Sequence, residues 1–167
     1  DRAFLVRAGP RVLVSGGPDA AEPPVHPDHD DRGVRHIPVG DAVLVEPDDL
    51  PAEGDRVWLK GYGPVRYDGS SFAYTDDDID VVREAGVDVV HWVPAERSIP
   101  VRMRTMDGDV RGRAEPGLRE YRPDDLVQFE RVGFARIDRL PSGGEPLVTY
   151  FARSEEHTSE LQSPSAI

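Results

Sequence analysis

Short apolar segments recur along the chain roughly every 8 to 12 residues, and turn residues separate them. Two pairs of these segments flank an Asp-Gly dipeptide, at residues 68–69 and 107–108, which is a signal for a β-hairpin. A third pair flanks the Ser-Gly-Gly turn at 142–144. No segment has a sustained helical period. The pattern therefore predicts an all-β fold built as a barrel or a sandwich.

The segment 127–138 alternates between apolar and polar residues in the manner of a half-buried strand. Val127 and Phe129 are expected to face a core, which leaves Gln128 and Arg131 facing outward. Glutamine can donate and accept hydrogen bonds, and arginine offers a planar fork of donors. We interpret Gln128 and Arg131 as a pair suited to recognising the edge of an unstacked nucleotide base.

The charge composition is acidic and lopsided, with a formal net charge of −12. Lys60 is the only lysine, and the other basic residues are arginines. Acidic, arginine-rich chains are typical of salt-loving archaea, because molar salt screens the repulsion to within about 3 Å. High salt also screens long-range attraction to RNA, so local hydrogen bonds matter more than net charge. The chain contains no cysteine, which excludes disulfides and thiolate metal sites.

No apolar run is long enough to span a membrane, and no signal peptide is recognised. We therefore expect a cytoplasmic protein with no membrane partner. Residues 153–163 resemble a translated sequencing-library adapter, so we predict that residues 153–167 are a non-native tail. Because the chain starts at Asp1 without methionine, we interpret it as a fragment of a longer reading frame.

Sites of other chemistry are weakly indicated. The run HPDHDD at 26–31 contains metal ligands, but its prolines favour a rigid turn. The run DDDID at 76–80 lacks the glycine and the distal glutamate of a calcium loop. His91 and Trp92 lie in a β-branched run, which favours a core role. We predict no catalytic residue, no metal site and no cofactor in this chain.

Four segments in order resemble the C-terminal anticodon-binding region of glutamyl-tRNA and glutaminyl-tRNA synthetases. They are RAFLV at 2–6, VHPDH at 25–29 with the glycine and IPV that follow, VHWVP at 90–94 with PVR at 100–102, and QFER at 128–131 with GF at 133–134. Asp30 stands where the family usually has proline. The acidic composition is similar to that of the haloarchaeal glutamyl-tRNA synthetases.

The resemblance implies two small β-barrels similar to ribosomal protein L25. We expect residues 1–85 to form the first anticodon-binding barrel, closed by late strands near 127–152. Residues 86–126 would form the second barrel or a region of strand exchange, with a soft boundary.

In the family, an arginine on the N-terminal strand and the Gln and Arg of the QFER segment contact the middle anticodon base. The corresponding residues here are Arg2, Gln128 and Arg131. A basic residue on the strand carrying Lys60 contacts a neighbouring anticodon base in bacterial relatives, although Trp58 replaces one arginine of that pattern. The assignment requires Arg2 and Gln128 to lie close together, although about 126 residues separate them.

The resemblance further implies a monomeric parent enzyme, a glutamate–tRNA ligase that uses ATP and Mg²⁺ on tRNA-Glu. Its catalytic domain would precede Asp1, and this fragment alone would be non-catalytic. Two alternatives stay within RNA binding: a stand-alone L25-like barrel protein and the C-terminal domain of a glutaminyl-tRNA synthetase. A third is a halophilic β-rich module with no RNA partner.

Overall fold

The computed structural model describes residues 1–7, 9–26, 28–75 and 85–154. The predicted acidic run at 76–80 and the adapter-like residues after 154 therefore lie outside the described residues. The sixteen strands are β1 (Arg2–Ala3), β2 (Leu5–Val6), β3 (Arg11–Ser15), β4 (Ala20–Ala21), β5 (Ile37–Pro38), β6 (Ala42–Leu44), β7 (Arg56–Leu59), β8 (Gly63–Tyr67), β9 (Ser71–Tyr74), β10 (Val89–Val90), β11 (Val93–Pro94), β12 (Ile99–Thr105), β13 (Gly108–Ala114), β14 (Leu126–Phe129), β15 (Gly133–Arg139) and β16 (Leu147–Ser154).

Helical structure within the described residues is confined to three short 3₁₀ helices, at Asp30–Arg32, Pro47–Asp49 and Pro116–Glu120. None of the described helices is long and apolar enough to cross a membrane. The prediction of an all-β fold is confirmed. Both predicted hairpins are present as antiparallel pairs, β8 with β9 and β12 with β13. The segments that flank the turn at 142–144 also pair antiparallel, as β15 with β16.

Two seven-stranded sheets form the body of the structure, one curled into a nearly closed barrel and the other into a half-barrel. The first sheet has the order β10-β7-β8-β9-β3-β6-β11. The second has the order β1-β14-β15-β16-β12-β13-β2. In each sheet the two outermost strands come from one short stretch of chain, residues 89–94 in the first and residues 2–6 in the second. Each stretch thus pairs with both ends of its own sheet.

Residues 2–6 lie between two hydrophobic cores. Phe4 and Val6 belong to the core of the first sheet, with Trp92 and Phe72. Ala3 and Leu5 belong to the core of the second sheet, with Phe129, Ile99 and Ile137. Because successive side chains of a strand point to opposite faces, one five-residue segment contributes to both cores. The N-terminal segment therefore ties the two sheets together.

The strand exchange differs from the predicted arrangement. We expected the late strands near 127–152 to close the first barrel. Instead, β14, β15 and β16 pair with residues 2–6 and with the β12–β13 hairpin in the second sheet. Backbone pairing holds the late strands in the second sheet, because β1 pairs in parallel with β14 and β2 pairs antiparallel with β13. The N-terminal segment thus joins the late strands, and the late strands do not enter the first sheet.

The predicted core role of the aromatic pair at 91–92 is confirmed. Trp92 is fully buried, and His91 is 7% exposed. The ring of Phe4 lies 5.3 Å from His91 and 6.1 Å from Trp92, measured between ring centroids. The Trp92 indole N–H donates a hydrogen bond of 2.9 Å to the backbone carbonyl of Lys60. Trp92 therefore fixes the end of β7 against the core.

Gly112 allows the close approach of β13 to the N-terminal segment. A Cβ atom at this position would lie 2.6 Å from the carbonyl oxygen of Val6 and 3.1 Å from the Cα of Arg7. Both are backbone atoms, so no change of side-chain rotamer can relieve the clash. We expect Gly112→Ala to lower the free energy of unfolding by about 1–3 kcal/mol, as for other overpacked sites.

Urea denaturation at constant molar KCl measures this effect. Gly117→Ala is the matched control, because its added Cβ would meet no atom within 4 Å. The control should unfold at the wild-type urea concentration or slightly above it. Equal urea midpoints for Gly112→Ala and Gly117→Ala would show that the pairing of β2 with β13 does not require a glycine at position 112.

Candidate nucleic-acid interface

Arg2 and Gln128 are neighbours on two parallel strands. Their Cα atoms are register partners in the pairing of β1 with β14. The Gln128 backbone N–H donates a hydrogen bond of 2.9 Å to the carbonyl of Asp1. The expectation that these two distant residues lie side by side is confirmed. Both residues are half-buried, whereas the neighbours of Gln128 on β14, Val127 and Phe129, are fully buried.

Glu130 connects Arg2 to Lys60 just beyond the end of β14. Its carboxylate Oε1 lies 3.3 Å from Arg2 Nη1 and 2.5 Å from Lys60 Nζ. The Glu130 backbone N–H donates to the carbonyl of Ala3, which extends the pairing with β1 by one residue. Lys60 follows β7 of the first sheet, so the carboxylate joins cations from both sheets. Three of the four predicted residues, Arg2, Gln128 and Lys60, are thus brought together at one edge.

The electrostatics of this edge favour an ionised Glu130. Its side chain is only 6% exposed, and burial opposes ionisation. The hydrogen bond from Lys60 and the positive charges nearby outweigh burial and hold the pKa of Glu130 below its usual value. Burial lowers the pKa of His91 to about 4, and the charge of Glu130 offsets only part of that shift. His91 is therefore neutral at pH 7, and its 3.9 Å contact with Glu130 is not an ion pair at that pH.

Arg131 does not lie on the strand, although the sequence predicted that it faces outward from the same strand as Gln128. It lies in the turn between β14 and β15 with a φ angle of 66°, a left-handed conformation that few non-glycine residues adopt. Its guanidinium makes two hydrogen bonds to Asp49, of 2.8 and 3.1 Å. Hydrogen bonding to Asp49 raises the pKa of Arg131 above its usual value. Arg131 thus spans from the second sheet to the Pro47–Asp49 helix beside the first.

An open cleft of about 800 Å³ lies beside this ion pair. Arg131 and Asp49 line it together with two arginines of the first sheet, Arg56 and Arg66. Three guanidinium groups and several carboxylates therefore border one surface depression. With four aspartates beside the three arginines, such a lining suits a polar ligand that carries both hydrogen-bond donors and acceptors.

Arg35 and Glu115 form a buried ion pair that fastens the loop before β5 to the second sheet. Arg35 Nε lies 2.8 Å from Glu115 Oε1, and both side chains are at most 11% exposed. The Phe4 backbone N–H donates a 2.7 Å hydrogen bond to Glu115 Oε2. The Arg35 guanidinium also lies over the Phe4 ring, 4.8 Å from its centroid. Burial raises the pKa of Glu115, although Arg35 opposes the shift.

The histidine-containing loop shows local contacts. The rings of His26 and His29 lie 4.5 Å apart, and His26 Nδ1 accepts a hydrogen bond from the backbone of Asp28. In the described part of the chain, no group of three or more His, Asp or Glu side chains is placed to hold a metal ion. The same loop is bound to the N-terminus, because Arg32 pairs with Asp1 at 2.6 Å.

Three residues of this interface were missed by the sequence analysis: Glu130, Arg35 and Glu115. Glu130 belongs to the QFER segment, but strand alternation drew attention only to its neighbours. The signal that could have identified Glu130 was its position as a single acidic residue between two apolar strands. Arg35 and Glu115 are 80 positions apart, and no local pattern pairs them.

Two family models match the chain, and both carry the description "tRNA synthetases class I (E and Q), anti-codon binding domain". The first covers residues 1–83 and the second covers residues 89–138. The boundary between the two matches lies before the segment 89–94 that closes the first sheet. The matched ranges include all four predicted site residues.

Similar curated proteins are glutamate–tRNA ligases. The chain is 62% identical over 152 residues to the one from Natronomonas pharaonis, which covers 91% of this chain. It is 66% identical over 164 residues to the one from Halobacterium salinarum strain R1, with 90% of this chain covered. The one from Methanothermobacter thermautotrophicus is 37% identical over 163 residues, with 90% covered. The chain spans about a quarter of these relatives, from 26% to 28% of their length.

Proposed function

The chain belongs to the anticodon-binding domain family of class I tRNA synthetases for glutamate and glutamine, and from this we propose that it binds the anticodon of tRNA-Glu. Arg2, Gln128 and Arg131 would contact the middle anticodon base, and Lys60 would contact a neighbouring one. The bases would be splayed out of the loop and read at their edges.

The observation that carries this proposal is the register of Arg2 with Gln128. Two strands hold the backbones of both residues, so a base beside them would meet preorganised groups. Gln128 offers a donor and an acceptor, whereas Arg2 offers only donors. A ligand with both kinds of edge group, such as a nucleotide base, is complementary to this pair.

The negative net charge is compatible with RNA binding at this edge. Arg2 and Lys60 share one buried carboxylate, so the local group of Arg2, Lys60 and Glu130 has a formal charge of +1. In molar salt, the repulsion between the RNA and the rest of the chain falls off within about 3 Å. Direct hydrogen bonds to a base are much less sensitive to that screening.

We propose the activity of the parent protein from that of its relatives. Such a ligase would attach glutamate to tRNA-Glu in the cytoplasm, as a monomer, using ATP and Mg²⁺. We assign the ATP and Mg²⁺ chemistry to a catalytic domain beyond this chain. The role of this chain would be to select the tRNA.

Replacing Arg131 by alanine tests its assignment to the base. We expect Arg131→Ala to weaken binding of tRNA-Glu by about 5- to 150-fold, the equivalent of about 1–3 kcal/mol for one specific base contact. The measurement is fluorescence anisotropy with the tRNA at constant molar KCl, since affinities depend on salt.

Asp49→Asn is the matched control, because it weakens the Arg131–Asp49 ion pair but keeps the guanidinium. We expect this variant to bind tRNA-Glu within about threefold of wild type. Equal losses in Arg131→Ala and Asp49→Asn would mean that Arg131 acts by joining the two sheets. If Arg131→Ala binds tRNA-Glu with the wild-type affinity, Arg131 does not contact the base.

A further inference from the structure

A second row of side chains crosses the outward face of the second sheet, next to Arg2 and Gln128. It consists of four exposed residues on four adjacent strands, here called the outer row: Leu126, Arg136, Tyr150 and Arg104. Consecutive members are register partners, which places the four side by side. The family resemblance assigns no function to any of them.

The outer row combines one accessible aromatic ring with two cations. Tyr150 is 38% exposed, whereas most aromatic side chains in the described chain lie in the two cores. The Arg104 guanidinium lies 5.5 Å from the centroid of the Tyr150 ring, and its Nη1 donates a 3.3 Å hydrogen bond to the hydroxyl. Arg136 is the register partner of Tyr150 on the other side. Aromatic rings flanked by arginines suit unpaired nucleotides, whose bases stack while their phosphates meet the cations.

The outer row carries positive charge, whereas the chain as a whole is negative. The outer row contains two arginines and no acid, on a chain with a formal charge of −12. Two acids border the outer row: Asp138, two residues from Arg136 on β15, and Asp109, the register partner of Arg104, whose carboxylate pairs at 2.6 Å with Arg102. A cationic surface on an acidic protein is complementary to a polyanion such as RNA.

The outer row is continuous with the proposed anticodon site. Gln128 lies two residues beyond Leu126 on β14, about 7 Å away along the strand. Gln128 is also the register partner of Phe134, a half-buried aromatic residue on β15. A loop nucleotide next to the base at Gln128 would therefore be within reach of the outer row.

We propose that the outer row is a second nucleotide site, in which Tyr150 stacks an unpaired anticodon-loop base and Arg104 and Arg136 contact the flanking phosphates. The inference rests on the proposed function, because its ligand is the same tRNA. It adds a stacking contact to the hydrogen-bonding contacts of Arg2 and Gln128.

Tyr150→Ala should weaken the binding of tRNA-Glu by about 5- to 150-fold at constant molar KCl, the range for loss of one stacked base. Tyr150→Phe should bind within about twofold of wild type, because the ring remains. Arg104→Ala should also weaken binding. Arg11→Ala, which removes an exposed arginine paired with Glu96 on the first sheet, should not.

A direct readout of stacking uses tRNA-Glu with 2-aminopurine at each loop position that flanks the middle anticodon base. Binding of wild-type protein should quench one of these positions, and Tyr150→Ala should abolish that quenching while thermal unfolding stays as in Tyr150→Phe. If Tyr150→Ala binds as wild type while Gln128→Ala binds weakly, the outer row is not a site and the proposed function stands. If wild-type protein does not bind the tRNA, both proposals are overturned.

Discussion

Replacing Arg35 by methionine should lower the free energy of unfolding by about 3–5 kcal/mol, the range for removing one partner of a buried ion pair. The variant keeps most of the side-chain volume but leaves the Glu115 carboxylate, 4% exposed, without its cation. It also removes the cation above the Phe4 ring. Among the described residues, the hydrogen-bond donor that remains for the Glu115 carboxylate is the backbone N–H of Phe4, which cannot neutralise the charge.

The control is Arg11→Met, which breaks an ion pair whose side chains are about half exposed. That variant should lose no more than about 1 kcal/mol, because exposed pairs contribute little. Urea denaturation of both variants at the same KCl concentration gives the comparison. A difference of less than about 1 kcal/mol between Arg35→Met and Arg11→Met would contradict the role of the buried pair.

The stability loss of Arg35→Met should depend on pH in a defined direction. Burial already raises the pKa of Glu115, and removal of Arg35 should raise it further. A carboxyl with a raised pKa in the folded state destabilises the fold at neutral pH, and the penalty disappears as the pH falls through that pKa. The deficit should therefore shrink as the pH is lowered from 7 towards 5. Adding Glu115→Gln to Arg35→Met should recover part of the loss at pH 7.

Much of the fold was predictable from local signals in the sequence. Hairpins at Asp68-Gly69 and Asp107-Gly108 follow from the conformations that aspartate and glycine allow at tight turns. The exchange of strands was harder to predict, because segments of two residues, such as β1 and β2, carry too little pattern to fix their partners. Resemblance to the synthetase family correctly placed Arg2 beside Gln128. The late strands, which we expected to close the first barrel, join the second sheet instead.

The candidate site was predictable only where the strand pattern or the family motif identified a residue. Gln128 follows from both. Glu130 was missed because its orientation is set after the strand ends, where alternation no longer applies. The pairing of Arg131 with Asp49 depends on a left-handed φ angle in a turn, which an arginine residue does not signal. Long-range ion pairs such as that between Arg35 and Glu115 need the tertiary structure.

The central claim is that Arg2 and Gln128 recognise the middle anticodon base. Its most direct test is the affinity of the chain for four tRNA-Glu transcripts that differ only at that base. Each is measured by fluorescence anisotropy at one molar-range KCl concentration, with wild-type protein, Gln128→Ala and the control Arg11→Ala. The register of Arg2 with Gln128 makes the wild-type preference depend on both side chains.

We predict that wild-type protein binds the transcript with the native middle base about 5- to 150-fold more tightly than the other three, corresponding to about 1–3 kcal/mol. Arg11→Ala should keep that preference, and Gln128→Ala should bind all four transcripts with nearly equal affinity. Equal affinities of the wild-type protein for all four transcripts, or an unchanged preference in Gln128→Ala, would contradict the claim.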